Sequence, residues 1–217
     1  MSYELVTNNG NCFENLRWHP NGGVYGTNKD GWGATRIRAM LNGADSFTDT
    51  GENNYSYEVF GDLNMSASIY TSNNCLLATF PQELQDAIGK RKVKYDSVYD
   101  QKNEENLKTT NDKLWLFSSN EVADTISHID YNHPLEGSVY EKFKGTGDGY
   151  NANEVRRAFR VDSMNGNSAG EKYSPWLRSS YGNSSGLALN LDDNGCVRCD
   201  HACYAFYGVS VGFTLKK

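Results

Sequence analysis

Apolar residues in this chain recur at helical spacing in a few short stretches and alternate with polar ones in several others, separated by long polar runs rich in Asn, Gly, Ser and Asp. Over 30–43, Ile37, Met40 and Leu41 fall on one face of a predicted helix, with acidic Asp30 before it and Gly43 as its stop. Trp32 is placed to pack beneath its first turn. A second helix opens at Pro81, a residue suited to the first helical position, and turns Leu84, Ala87 and Ile88 inward before Gly89. Residues 93–99 alternate as a half-buried strand, and the charged, Asn-rich stretch 101–112 reads as a solvated loop. The apolar run 113–117 reads as a buried strand. It leads straight into Ser118-x-x-Glu121, a capping-box pattern, so a helix starts there with Val122, Ala123 and Ile126 turned inward.

The first 30 residues are punctuated by Asn-Gly and Gly-Gly pairs and read as short strands and loops, whereas 44–74 are polar, weakly patterned and without an assignment. Within 130–172 a short helix is expected over 153–159, with Val155, Ala158 and Phe159 at i, i+3 and i+4. After Pro175 come strands at 176–178, Leu187–Leu191 and 209–215, with a two-residue type I′ turn at the Asn-Gly pair of 193–195. Short helices mixed with short strands, and no internal repeat, predict an α+β fold. We read residues 1–217 as one domain, with 1–30 as its N-terminal strand and loop part and 173–215 as its C-terminal strands.

The formal charge of −6 and a pI near 5.2, with basic residues scattered, argue against a nucleic-acid surface, which needs a concentrated basic stripe. The cluster Lys90-Arg-Lys-Val-Lys94 reads as a solvated helix end. No apolar run approaches a membrane span, and Met1-Ser-Tyr-Glu-Leu has neither the basic nor the apolar part of a secretory signal. Neither membrane insertion nor a signal peptide is expected. Five cysteines, three of them within 196–203, make a poor disulfide framework, so free thiols are expected.

The C-terminal stretch has a distinct composition. Between the apolar anchors at 173–180 and 208–215 lie Ser, Asn, Asp, Gly, Tyr and Cys in the mixture that evolved binding surfaces favour, because Tyr gives rigid contact area while Ser, Asn and Gly adapt their hydrogen bonds. Cys196, Cys199, His201 and Cys203 form C-x-x-C-x-H-x-C, but this spacing is tighter than paired zinc knuckles. On a strand such residues alternate between faces, so no metal is assigned. Asp192-Asp-Asn-Gly195 lacks the further ligands of a calcium loop. A paired reactive-cysteine site has no support elsewhere in the chain. The four histidines occur without hydrolase or phosphate-loop patterns, which leaves binding as the expected activity and no cofactor. Trp115 and Trp176 read as core, and Arg178 as a brace for the loops.

Several anchors recur in order: Gly31-Trp-Gly-x-x-x-Ile-Arg-x-x-Leu-Asn42, Phe80-Pro-x-x-Leu-x-x-Ala-Ile88, Asp112-Lys-Leu-Trp-Leu-Phe-Ser-Ser-x-Glu121, Trp176-Leu-Arg-Ser179 and Gly-Val-x-Val at 208–211. Together they resemble DUF6273, a family of bacterial and phage modules of unknown function. Ser180 stands where that family has Pro, and Ser210-Val-Gly-Phe replaces its Arg-Pro-Ala ending, closer to the close of formylglycine-generating-enzyme-type C-type lectin domains. The resemblance implies a C-type lectin-like fold, the fold of the variable proteins of diversity-generating retroelements. In those proteins adenine-directed mutagenesis of Asn codons never yields Lys, Glu, Gln, Met or Trp. Residues 179–207 contain none of these five types, whereas the other 188 residues hold 35. About five would be expected from that composition.

The resemblance therefore implies a ligand-binding display protein, in phage receptor binding or cell-surface recognition, with an unidentified protein or glycan as partner. The competing expectation is a structural virion or surface-fibre module without a variable site. The candidate ligand-binding residues are Tyr181, Asn183, Ser184, Cys196, Arg198, Cys199, Asp200, His201, Cys203, Tyr204, Phe206 and Tyr207, held by scaffold residues Trp176, Arg178, Gly208 and Gly212. On strands, alternate residues of that set must point inward.

Overall fold

A computed structural model of the chain describes residues 31–43, 71–96, 107–126, 136–149, 151–159, 170–181, 187–201 and 208–216, with main chain alone at 34, 36 and 201. Its helices are α1 (Arg36–Asn42), α2 (Gln82–Ala87) and α3 (Ser119–Val122), with single 3-10 turns at Gly31–Ala34, Leu77–Thr79, Glu141–Phe143 and Glu154–Arg156. Its strands are β1 (Ile88–Gly89), β2 (Arg91–Asp96), β3 (Leu107–Asp112), β4 (Trp115–Leu116), β5 (Ala158–Phe159), β6 (Lys172–Tyr173), β7 (Pro175–Ser180), β8 (Leu187–Leu191), β9 (Val197–His201), β10 (Gly208–Val209), β11 (Val211–Gly212) and β12 (Thr214–Leu215). This is a small mixed α+β protein of short helices and several small, mostly antiparallel sheets, without a barrel among the described residues.

Helix α1 starts later than Asp30 suggested. The hydroxyl of Thr35 accepts the Arg38 N–H as its N-cap, and Gly43 at φ 82 stops the helix, donating its N–H to Ala39 O. Pro81 sits one position before α2, and Ile88 leaves the helix to open β1, which pairs with β12. The Lys90–Lys94 cluster is therefore not a helix end. Lys92 and Lys94 are exposed on β2, which forms an antiparallel ribbon with β3 in place of the predicted loop. The predicted loop residues 101–106 and the strand end 97–99 lie outside the described residues. The capping box forms as the sequence requires: Glu121 N–H bonds to Ser118 Oγ and Ser118 N–H to Glu121 Oε2 at 3.0 Å. Val122, Ala123 and Ile126 are buried, although the helix itself lasts one turn.

Residues 153–159 depart from the expected helix. A 3-10 turn and β5 occupy them, Val155 and Phe159 are exposed, and the buried side chains are Arg156 and Ala158. The stretch 209–215 is likewise not one strand. It divides among three sheets, as β10 beside β7, β11 beside β4 and β12 beside β1. Tight approaches hold it there. A Cβ on Gly208 would lie 2.3 Å from the Tyr173 ring, and one on Gly212 would lie 2.8 Å from the Trp115 indole nitrogen.

The largest sheet has the order β10-β7-β8-β9, with β10 parallel to β7 and the rest antiparallel. Apolar side chains cover both its faces. Trp176, Ala188 and Val209 join a cluster with Trp32, Ile37, Met40, Leu41, Leu114 and Trp115, while Leu177, Leu189, Leu191 and Val197 join Val122, Ala123 and Ile126 on the other side. A sheet sandwiched in this way has no solvated face over its central strands, and every residue of β7 is buried. Among the described residues no helix is long and apolar enough to cross a membrane.

Candidate ligand-binding site

The register of the large sheet decides which candidate residues meet. Ser180 lies opposite Ala188 and Leu187 opposite His201, so the end of β7, the start of β8 and the end of β9 share one end of the sheet. From that end the chain enters 182–186 and 202–207. Asn183, Ser184, Cys203, Tyr204, Phe206 and Tyr207 belong to those stretches and lie outside the described residues. Strand β9 is the edge of this sheet among the described residues, with Val197 N–H donating to Gly149 O at 2.5 Å.

Pairing also sorts the residues of β9 by face. Cys199 lies opposite Leu189 and shares the side of the Leu177 cluster, against which Cys199 and Tyr181 are half-buried, and the main chain of His201 pairs with Leu187. Arg198 and Asp200 lie opposite Asn190 and Ala188 and share the other side. Cys196 precedes the strand and is buried. Among the described candidates, Arg198 and Asp200 lie on one side of β9 and Cys199 on the other, and Cys196 is buried just before the strand.

The hairpin from β8 to β9 turns at 193–195 as the sequence places it, but with all three residues at its tip and not as a type I′ turn centred on Asn-Gly. Asp192 N–H bonds to Cys196 O at 2.8 Å, Gly195 N–H bonds to Asp192 O at 2.9 Å, and Gly195 takes φ 78. The Asp192 carboxylate is spent inside this turn. Its Oδ1 accepts the N–H groups of Asn194 and Cys196, and its Oδ2 pairs with Arg198 Nε at 3.2 Å. Among the described residues no three His, Cys, Asp or Glu side chains come together as a metal site. Cys75, Cys196 and Cys199 are free thiols. Burial, and after it the Asp192 carboxylate, pushes the Cys196 thiol above its ordinary value; burial and then Asp200 do the same to Cys199. The shift favours the protonated thiol and lowers the thiolate fraction available as a nucleophile.

Beneath the site lies a frame of buried charge. Arg178 donates to Lys94 O at 2.9 Å, Leu116 O at 2.8 Å and Glu136 O at 2.6 Å, and forms an ion pair with Glu121. Ser179 Oγ donates to the Glu136 carboxylate and accepts Ser119 N–H at 3.0 Å, while Asp96 N–H bonds to Glu136 Oε1 at 2.8 Å. The Trp-Leu-Arg-Ser sequence is therefore the node that ties β7 to β2, β4, α3 and the 136 segment. Arg178 thus contacts β2, β4, α3 and the 136 segment at once. A second node joins Arg38 to Asp112 at 2.9 Å, and Trp32 Nε1 donates to the same carboxylate at 2.9 Å. Asn42 adds a third tie: its Oδ1 accepts Leu114 N–H at 2.9 Å and its Nδ2 donates to Leu114 O at 2.8 Å.

These ties match the motif positions Trp32, Arg38, Asn42, Asp112, Glu121 and Arg178 in the order in which they occur. A family model described as a domain of unknown function, DUF6273, matches residues 16–217. The chain belongs to the DUF6273 family. No curated protein and no solved structure gives a significant match to this DUF6273 chain.

Sequence reasoning missed two residues that hold the site. Glu136 receives Ser179 and Asp96, and Arg156 reaches across to the β8–β9 hairpin through Gly195 O at 2.6 Å. No local signal marks either. Arg156 sits between Val155 and Ala158, where periodicity favours the apolar neighbours.

Proposed function

We propose that this DUF6273 chain is a ligand-binding display module with a C-type lectin-like fold, whose C-terminal stretch 179–207 is diversified by a retroelement to take varied protein or glycan targets, as in phage receptor binding or cell-surface recognition. What supports the reading is the junction of a fixed frame with a compositionally distinct filling. Stretches 182–186 and 202–207, free of Lys, Glu, Gln, Met and Trp, leave one end of a sheet in which β7 is buried throughout and tied by Arg178. A rigid scaffold with adaptable connections is how binding sites change contents without losing the fold. Within the described part, Arg198 and Asp200 are the half-exposed polar side chains on one side of β9, and Tyr181 offers an aromatic edge at the strand junction. Binding, not catalysis, is the activity proposed.

The test is genetic first. The 3′ end of the gene is compared with any near-identical repeat nearby, and differences confined to adenine positions across codons 179–207 are expected. Absence of such a repeat overturns diversification. For the ligand face itself, Tyr204, Phe206 and Tyr207 are replaced together by Ser. An unchanged unfolding transition is expected, and global unfolding would mean that these residues are core.

A further inference from the structure

The Asn-Gly pair at the tip of the β8–β9 hairpin is held from every side. Asn194 N–H donates to Asp192 Oδ1 at 2.9 Å, its carbonyl accepts Asn153 N–H at 3.0 Å, and its side-chain amide donates to Asp193 Oδ1 at 3.1 Å. Gly195 N–H donates to Asp192 O at 2.9 Å, and Gly195 O accepts Arg156 Nε at 2.6 Å. Gly195 is buried, and a Cβ there would lie 2.3 Å from Asn153 O. Arg156 is itself anchored. Its remaining nitrogens donate to Thr146 Oγ1 at 3.0 Å, Asp148 O at 3.2 Å and Asn151 O at 2.6 Å, so the hairpin tip is fixed to one hydroxyl and two main-chain carbonyls.

Asn-Gly is the pair in which an asparagine cyclises most readily, because glycine places no side chain in the path of its own nitrogen. In that reaction the Gly195 nitrogen forms a bond to Asn194 Cγ. The bond from Cγ to the side-chain nitrogen breaks, and that nitrogen leaves as ammonia with the proton from Gly195 N–H. Water then opens the succinimide at either carbonyl, giving aspartate or isoaspartate. To react, the Gly195 nitrogen must turn from Asp192 O towards Cγ by rotation about the Asn194 Cα–C bond. That rotation breaks the Gly195–Asp192 and Asn153–Asn194 hydrogen bonds and draws Gly195 O away from Arg156.

We propose that Asn194 is a latent deamidation and isoaspartate site, and that Arg156 is the lock that keeps it closed in the folded protein. The consequence reaches β9. Isoaspartate at 194 inserts one methylene into the main chain between the paired residues Leu191 and Val197, which displaces the strand that carries Arg198, Cys199 and Asp200. The lifetime of the hairpin is then set by a buried guanidinium, whatever β9 binds.

The experiment incubates the full chain at mildly alkaline pH, folded and in urea, and measures Asn-to-Asp conversion and isoaspartate at 194 by peptide mapping. Asn165–Gly166 in the same digest is the reference. In urea the wild type is expected to convert Asn194 roughly tenfold faster or more than when folded, since the folded reaction waits for a local opening. Arg156→Gln is expected to raise the folded rate at 194 relative to the reference by a similar factor, and Thr146→Val, which removes one anchor of Arg156, by less. Equal rates for wild type folded and in urea overturn the proposal. So does acceleration at 194 and at the reference alike, which is global unfolding. If Arg156→Gln does not fold, Thr146→Val decides: an unchanged ratio rejects the lock.

Discussion

Among the described residues three arginines are buried, Arg38, Arg156 and Arg178, and they are held in two different ways. Arg38 and Arg178 each meet a buried carboxylate, Asp112 and Glu121, far along the chain. Arg156 is surrounded by carbonyls and one hydroxyl, and burial lowers its pKa from the ordinary value. The first arrangement welds distant elements of the frame, whereas the second pins a hairpin tip to neighbouring turns. The difference is one of dependence: a paired arginine leaves a stranded charge when removed, and a carbonyl-bound one leaves only acceptors that water can reach as the turns relax.

The comparison breaks most sharply at Arg178. Arg178→Met should cost roughly 3–5 kcal/mol in urea unfolding, because the buried Glu121 then loses its buried partner and keeps only the half-exposed Arg91 at 3.5 Å, and adding Glu121→Leu should recover part of the loss. A neutral single variant would remove the distinction drawn here. Arg156→Met should cost less, roughly 1–3 kcal/mol, with no single second substitution able to restore it. Removing the cap that presents Glu121 to Arg178 is milder again. Ser118→Ala is expected to lower stability by roughly 0.5–2 kcal/mol, read by the same transition.

The smallest effect concerns the thiols beside the hairpin. Both Cys196 and Cys199 have folded pKa values raised above the unfolded ones. The stability they contribute is therefore complete below the ordinary thiol range and is lost as pH rises through it towards the folded values, since the unfolded chain releases these protons first. Urea midpoints measured across that alkaline window should fall more steeply for the wild type than for Cys196→Ala/Cys199→Ala. Equal slopes would show that other groups govern the alkaline limit.

Much of the fold was legible where local chemistry decides it. The Ser118–Glu121 capping box, the Gly43 stop and β8 at Leu187–Leu191 stand where the sequence puts them, because each depends on residues a few positions apart. Failures came where partners are remote. Residues 107–112 look like a solvated loop until β2 supplies their ladder, and 209–215 look like one strand until three different neighbours divide it. Arg156 was invisible because its acceptors lie in three separate turns and leave no pattern beside it. The candidate ligand residues were proposed from composition, but which of them face together is a matter of register: the pairing of β9 with β8 puts Arg198 and Asp200 on one side and Cys199 on the other.

By itself, then, the sequence determined the Ser118–Glu121 cap, the Gly43 stop, the β8 strand and the ordered motif residues of the DUF6273 family. It did so because helix ends and turns are written in side chains that act over three or four positions. The tertiary structure alone decided the burial of both sheet faces, the carboxylate partners of Arg38 and Arg178, and the carbonyl cradle of Arg156. Those depend on which distant backbone groups are brought within hydrogen-bonding reach, and that distance is set by packing, not by spacing along the chain.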